Sequence, residues 1–165
     1  MSDRSQNPTA AARERKKVGM LVPPPLLLIA IGALSIAAQL MVFGSFNIST
    51  SGVALGVLVI LASVLIEISC WRSFKAADTP FRPVSPATAI VNSGLYRVSR
   101  NPMYVGMAGL LAGVGIMLGS YVFIAAVVIF IVIVHFGVVM SEERYLEALH
   151  GEAYRRYKQS VRRWL

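Results

Sequence analysis

Four apolar runs, separated by polar segments, dominate the chain. They cover residues 21–43, 53 to about 71, 102 to about 119, and 121–140. An α-helix needs about 20 apolar residues to cross the hydrocarbon core of a bilayer, and each run has about that length. The pattern therefore predicts an all-α membrane protein with four transmembrane helices.

The lengths of the polar segments predict how these helices are arranged. Residues 119–121 alone separate the third and fourth runs, so the last two helices should form a tight hairpin. Residues 44–52 form a short loop, whereas the connector at residues 72–100 is long and shows no clear helical or strand period. In the tail, residues 141–165, apolar side chains recur at helical spacing and predict an amphipathic helix.

The same boundaries predict three parts of the chain. Residues 1–20 are polar and mixed in charge, which is typical of a disordered extension. Residues 21–71 hold the first two transmembrane helices. Residues 72–165 hold the connector, the hairpin at residues 102–140 and the tail, and they carry most of the candidate chemistry.

Composition and charge agree with a membrane protein and predict its orientation. Of the 165 residues, 56% are hydrophobic and 15% are charged, against about 25% charged in soluble domains. The net charge is +8, and the positive residues flank the apolar runs, whereas the loops at residues 44–52 and 119–121 carry none. By the positive-inside rule, both termini and the connector are cytoplasmic, as in a bacterial inner-membrane protein. Such juxtamembrane charge favours anionic lipid over nucleic acid.

Several classes of site are excluded by the residues that the chain lacks. Cys70 is the single cysteine, so no intrachain disulfide can form. With His135 and His150 as the two histidines, no metal-ligand pattern is present, and we expect no metal. Phosphate-binding, dinucleotide-binding and serine-nucleophile signatures are also missing.

The predicted hairpin brings two polar stretches together at the cytoplasmic side. YRVSRNPMY, residues 96–104, precedes the third helix, and SEERYLEALHGEAYRRY, residues 141–157, follows the fourth. Pro102 suits a first helical turn, and Arg100 offers a permanent bidentate charge to an anionic ligand beside the Tyr104 hydroxyl. The alternative is an ordinary interfacial belt, with a snorkelling arginine and a tyrosine at headgroup level.

Glu142 and Glu143 stand where the fourth helix is predicted to end. Two carboxylates there face the negative end of the helix dipole, so a cation should lie nearby. Arg100, Arg97 or a cationic ligand would meet that need. The alternative is a solvated helix face, with the carboxylates paired to Arg144 or to arginines of the tail.

Two ionisable residues lie inside the predicted spans. His135 precedes Glu142 by seven residues, so an α-helix would place both on one face, and His135 would line the site. The alternative for His135 is a hydrogen bond to a backbone carbonyl. Glu67, four residues before Trp71, is either a structural residue that snorkels or pairs with Arg72, or a proton acceptor.

The third run also carries a face of small residues. Its glycines are Gly106, Gly109, Gly113 and Gly115. Such a face permits close helix packing, and it would also leave room for a ligand ring against the backbone.

These motifs resemble those of a known family. GLYRVSRNPMYVG, followed after a hairpin by EERYL and HGEAYRRYKQSVRRWL, is similar to the integral-membrane isoprenylcysteine carboxyl methyltransferases and phospholipid methyltransferases. The resemblance covers about residues 72–165. It implies that S-adenosylmethionine binds at the cytoplasmic end of the hairpin, under a lid formed by the connector and the tail. It also implies a lipophilic acceptor that enters from the bilayer.

The resemblance assigns roles residue by residue. Arg100, Asn101 and Tyr104 would hold the methionine part of the cofactor, and a glutamate of the pair would contact its ammonium group or its ribose. Asn101 stands where many members have histidine, so proton shuttling at this position is not expected. The complete set of expected cofactor-binding residues is Tyr96, Arg100, Asn101, Pro102, Tyr104, Gly106, Glu142, Glu143, Tyr154 and Tyr157.

The chemistry expected of the chain depends on the acceptor. An isoprenylcysteine-type carboxylate needs no base, whereas an amine of a phospholipid, or a thiol, must lose a proton, and Glu67, His135 and Glu143 are then the candidate catalytic residues. Two other functions fit the same pattern. One is a non-catalytic four-span binding or assembly protein, and the other is an NADPH-dependent membrane reductase.

Overall fold

The structure, a computed structural model, describes residues 23–77 and 90–165. The predicted disordered extension and residues 78–89 of the connector lie outside these ranges. Within them the chain is helical, and its β-type pairing is an isolated bridge between Ser99 and Arg162. The prediction of an all-α protein is therefore confirmed for the described part.

Six α-helices follow one another along the chain. They are α1 (Pro24–Phe43), α2 (Thr50–Ala76), α3 (Pro102–Leu118), α4 (Tyr121–Val134), α5 (Met140–His150) and α6 (Glu152–Ser160). A 3-10 turn, Gly94–Arg97, precedes α3, and a π-helical turn, His135–Val139, joins α4 to α5.

Helix α2 extends beyond its apolar run at both ends. Its first turn is capped by the Ser49 hydroxyl, which accepts a hydrogen bond from the Gly52 N–H at 3.1 Å. The predicted end near Trp71 is too early, because the helix continues to Ala76. Polar residues of the last turns remain helical, and the Lys75 ammonium lies 5.3 Å from the centre of the Trp71 ring.

The fourth predicted helix does not end at Met140, where its apolar run ends. Tyr121–His150 is one continuous helical rod that contains the π turn and includes α5. Gly151, with φ of +54°, ends the rod, because a positive φ favours glycine. The predicted amphipathic tail is thus two elements, the end of this rod and the separate helix α6.

Three of the helices in the described ranges are long and apolar enough to cross a membrane, namely Pro24–Phe43, Thr50–Ala76 and Tyr121–His150. Helix α3 is equally apolar but shorter, with 17 residues, or about 26 Å of helix. The chain is therefore an integral membrane protein. The tight hairpin between α3 and α4 is confirmed, with Gly119 at φ +61° in its turn.

Helices α2 and α3 pack most closely, at their glycines. A Cβ atom on Gly56 would lie 2.6 Å from the Gly113 carbonyl oxygen, so the two backbones meet directly. Helices α1 and α4 close the other side of α3 around buried Phe123 and Phe130. The glycine face of α3 therefore serves helix packing, as expected for small residues between helices in a bilayer.

We expect Gly56→Ala to destabilise the protein by about 1–3 kcal/mol, because its methyl group would overlap the backbone of α3. Gly32→Ala is the matched control, since a Cβ atom there would meet only the Leu111 side chain at an ordinary 3.8 Å. Thermal unfolding in detergent measures both. Equal unfolding temperatures for the two variants would contradict the close contact of α2 with α3.

Candidate functional site

A cavity, partly open to solvent, lies at the end of the bundle where α2 ends and α3 begins, and its empty space, open solvent included, is about 590 Å³. Its polar lining contains eight of the ten expected cofactor-binding residues: Tyr96, Arg100, Asn101, Tyr104, Glu142, Glu143, Tyr154 and Tyr157. Its apolar lining, which the motif did not indicate, is Phe74, Ile90, Val91, Met103, Val139 and Leu146. The two polar stretches expected to converge across the hairpin do so.

Glu143 is buried between two arginines. Its Oε1 lies 2.8 Å from Arg100 Nη1, and the two side chains are 8% and 9% exposed. On the other side, Arg163 donates from Nε to Oε1 and from Nη2 to Oε2, both at 2.9 Å. The expectation that Arg100 supplies a cation to the acidic pair is therefore met for Glu143. The alternative is met in part, because Glu143 also pairs with an arginine of the tail, although it is buried rather than solvated.

Arg163 was not singled out from the sequence. It lies near the end of a chain whose Lys and Arg residues total 16, and nothing in its spacing separates it from topology-setting charge. Arg97, by contrast, was a candidate partner for the acidic pair. It is exposed and makes no ion pair among the described residues.

Glu142 has different surroundings, although it is the next residue. It lines the cavity and accepts one long hydrogen bond, from the Tyr104 hydroxyl at 3.5 Å. No ion pair reaches it from the described part of the chain. The two adjacent carboxylates are thus distinct, since Glu143 is saturated by guanidinium groups and Glu142 is available to a ligand.

Arg100 and Asn101 differ in how far their polar groups are already hydrogen-bonded within the protein. The buried Arg100 Nε makes no hydrogen bond within the described ranges, although the residue lines the cavity. The Asn101 amide donates to the Arg163 carbonyl oxygen at 2.9 Å, and its backbone N–H donates to the Ser99 hydroxyl. Arg100 therefore retains an unused donor, whereas the Asn101 amide already anchors the C-terminal residues.

Three tyrosines surround the polar end of the cavity as protonated groups. Burial raises the pKa of Tyr96 well above its usual range, and the Cys70 thiol adds to the effect. Burial also raises the pKa of Tyr154, with a further contribution from the Glu143 charge, and it raises the pKa of Tyr157 to about 12. The Tyr157 hydroxyl donates to the Tyr96 carbonyl oxygen at 2.7 Å, which fastens α6 to the 3-10 turn.

His135 does not line the cavity. The π turn begins at His135, and because a π turn closes i to i+5, seven residues no longer place His135 and Glu142 on one face. Instead, His135 Nδ1 accepts a hydrogen bond from the Trp164 indole N–H at 3.3 Å. Its expected catalytic role has no support in this geometry.

Glu67 and Gly106 meet at the interface of α2 and α3, beside the cavity rather than in its lining. A Cβ atom on Gly106 would lie 2.5 Å from Glu67 Oε1, so glycine leaves the space that this carboxylate occupies. Oε1 is buried and has no hydrogen-bond partner among the described residues, and the alternative pairing with Arg72 is not formed. Pro102, also expected to bind cofactor, is the buried first residue of α3 and does not line the cavity.

Comparison with known families agrees with this site. The model of the phospholipid methyltransferase family matches residues 51–153, which include α2, the Arg100 loop and both glutamates. The chain belongs to the phospholipid methyltransferase family. The match confirms the resemblance and extends it to α2. Membership indicates a membrane methyltransferase.

One curated relative of this family member is an uncharacterized protein of Haemophilus influenzae. The two are 41% identical over 63 residues, which is 38% of this chain and 100% of the relative. No solved structure matches the chain significantly. The family match ends at residue 153, so Tyr154, Tyr157 and Arg163 enter the site on geometry.

The stability of this family member should fall as the pH rises above about 10. A tyrosine of the unfolded chain ionises near pH ~10, whereas Tyr157 in the folded protein keeps its proton until about 12. Because the folded pKa is raised, its contribution is complete below the unfolded pKa and is lost as the pH rises through the folded pKa. Thermal unfolding of wild type and Tyr157→Phe between pH 8 and 12 measures this. The variant should be less stable at pH 8 by about 1 kcal/mol and should show a shallower decline, and an equal decline would contradict the assignment.

Proposed function

We propose that the protein transfers a methyl group from S-adenosylmethionine, bound in the cavity, to a lipophilic acceptor that enters from the bilayer. The observation that carries this proposal is the unequal pair of carboxylates beside Arg100. Glu143 is neutralised by two arginines, which leaves the Glu142 carboxylate in the lining of a partly apolar cavity, beside an Arg100 side chain whose Nε–H has no hydrogen-bond partner among the described residues.

The donor set of the cavity fits a zwitterionic nucleoside. An amino-acid carboxylate can accept from the unused Arg100 Nε–H, and its ammonium group can donate to Glu142. Phe74, Tyr96 and Leu146 provide aromatic and apolar walls for an adenine ring.

The chain contributes mainly binding and orientation. When bound, S-adenosylmethionine supplies an electrophilic methyl on a sulfonium that leaves as a neutral thioether. Arg100 and Glu142 fix the amino-acid end, and the apolar side chains keep water from the methyl group. Tyr104, whose hydroxyl contacts Glu142, holds that carboxylate in place.

The finer topology belongs to the same proposal. Helix α3 crosses the membrane with α4 as the fourth span, both termini are cytoplasmic, and the protein lies in a bacterial inner membrane. The uncharged 119–121 turn and the basic residues at the opposite end of the hairpin support this orientation. The lid belongs to the proposal as well: Val91 of the connector and Tyr154 and Tyr157 of α6, which line the cavity, would form it.

For the acceptor, we propose the amine of a phospholipid headgroup, with an isoprenylcysteine-type carboxylate as the second candidate. Of the three candidate bases, Glu143 is saturated by arginines and His135 lies outside the cavity. Glu67 alone retains a buried oxygen without a partner among the described residues. Glu67 would take the proton of an ammonium acceptor, and the nitrogen lone pair would then be free for the methyl group that a bound sulfonium cofactor would supply as its carbon–sulfur bond breaks.

We expect saturable binding of S-adenosylmethionine and S-adenosylhomocysteine to the detergent-purified protein by calorimetry. Arg100→Gln and Glu142→Gln should each weaken binding by about tenfold or more, because each removes a charge-assisted hydrogen bond. Arg97→Gln is the control, since Arg97 is exposed and lies outside the cavity lining.

Absence of binding by wild type would overturn the proposal and favour the non-catalytic four-span protein. Binding of NADPH in place of S-adenosylmethionine would favour the reductase.

Glu67→Gln should separate the acceptor classes. We expect methylation of phosphatidylethanolamine vesicles to slow by about 100-fold or more, because the variant cannot accept the proton of the amine. Affinity for S-adenosylmethionine should not change, since Glu67 does not line the cavity. Transfer of radiolabelled methyl measures the rate. Methylation of an isoprenylcysteine analogue but not of the amine lipid, by wild type, would exclude the amine assignment.

A further inference from the structure

We infer that Arg163 is a positioning residue: the C-terminal segment, residues 161–165, holds Glu143 against Arg100 and thereby leaves Arg100 Nε and Glu142 to the ligand. The inference rests on the proposed function and adds to it a residue that lies beyond the family match, which ends at residue 153. It also gives the two adjacent glutamates different roles: Glu143 pairs with the arginines, and Glu142 binds the ligand.

The C-terminal segment is anchored to the loop before α3 by its backbone. The Arg100 N–H donates to the Arg162 carbonyl oxygen at 2.9 Å, and Ser99 and Arg162 form a parallel bridge. The Asn101 amide donates to the Arg163 carbonyl oxygen at 2.9 Å. The backbone at Arg163 is therefore fixed beside Arg100, which pairs with Glu143 from the opposite side.

The segment is anchored at a second place by Trp164. Its indole N–H donates to His135 Nδ1, and its ring packs on the imidazole with centroids 5.9 Å apart. Arg163 thus lies between two anchored neighbours, so its side chain needs little further ordering to reach Glu143. This accounts for the position of His135, which supports the segment from the π turn.

The guanidinium group of Arg163 binds Glu143 through two donors. Its Nε and Nη2 lie 2.9 Å from the two carboxylate oxygens, a fork that lysine cannot reproduce. The hydrogen bonds to Glu143 raise the pKa of Arg163, so this guanidinium group stays charged. Without Arg163, a carboxylate that is 8% exposed would depend on Arg100 alone and would draw its donors away from the cavity.

The test compares neighbouring arginines. Arg162 is exposed, makes no ion pair within the described ranges and contributes its backbone carbonyl, which a substitution keeps. We expect Arg163→Gln to weaken S-adenosylhomocysteine binding by about tenfold and to raise the KM for S-adenosylmethionine by a similar factor, while the KM for the acceptor stays unchanged. Arg162→Gln should behave as wild type.

A double-mutant cycle asks whether Arg163 acts through Glu143. In a Glu143→Gln background, Arg163→Gln should cost little further affinity, because the carboxylate that it positions is gone. Calorimetry with S-adenosylhomocysteine measures the four affinities. Additive losses would show that Arg163 affects the ligand by another route and would overturn the inference.

A conservative pair keeps the test valid if Arg163→Gln does not fold. Arg163→Lys retains the charge but not the fork and should bind about threefold more weakly than Arg162→Lys. Equal affinities of these two lysine variants would overturn the inference while leaving the proposed function intact. Failure of wild type to bind either ligand would instead remove the proposed function, and the inference with it.

Discussion

The ion cluster around Glu143 is the interaction on which the cavity depends. It joins the loop before α3, helix α5 and the C-terminal residues, which are far apart in the chain. Removing a carboxylate from water costs several kcal/mol, and a single exposed partner would not offset that cost. Glu143 receives three charge-assisted contacts from Arg100 and Arg163, and together they offset the cost of removing its carboxylate from water. The same arrangement frees Glu142, which lies within the same turn.

The continuous rod Tyr121–His150 connects this cluster with the apolar bundle. Its first half packs Phe123 and Phe130 against α1 and α3, and its last turns carry the two glutamates. The π turn between them changes the helical phase. Residues after the turn therefore do not continue the faces that the first half of the rod presents. His135 consequently contacts Trp164 and not the cavity, so a residue that a regular α-helix would place on the face of Glu142 supports the C-terminal segment instead.

The contact of α2 with α3 links bilayer packing to the chemistry proposed for the acceptor. Glycines let the two backbones meet, and the same closeness at Gly106 makes space for the Glu67 carboxylate. Its buried Oε1 has no hydrogen-bond partner among the described residues, and leaving a buried carboxylate oxygen unpaired is costly. Glu67 lies beside the cavity, whereas Arg100 and Glu142 line it.

Hydropathy and motif spacing were enough to predict the apolar helices, the hairpin and the approach of Arg100 to the acidic pair. A helix in lipid must satisfy the hydrogen-bonding groups of its own backbone, so hydropathy suffices to locate it in the sequence. Because only residues 119–121 join the last two helices, the helices must be antiparallel, and their opposite ends lie side by side. Only the packed structure shows that Glu143 is the glutamate that is neutralised and that Arg163 neutralises it. It also places Gly106 and His135 outside the cavity lining. Those outcomes depend on contacts between segments some 20 to 60 residues apart and on the phase of one π turn, neither of which a local pattern of residues encodes.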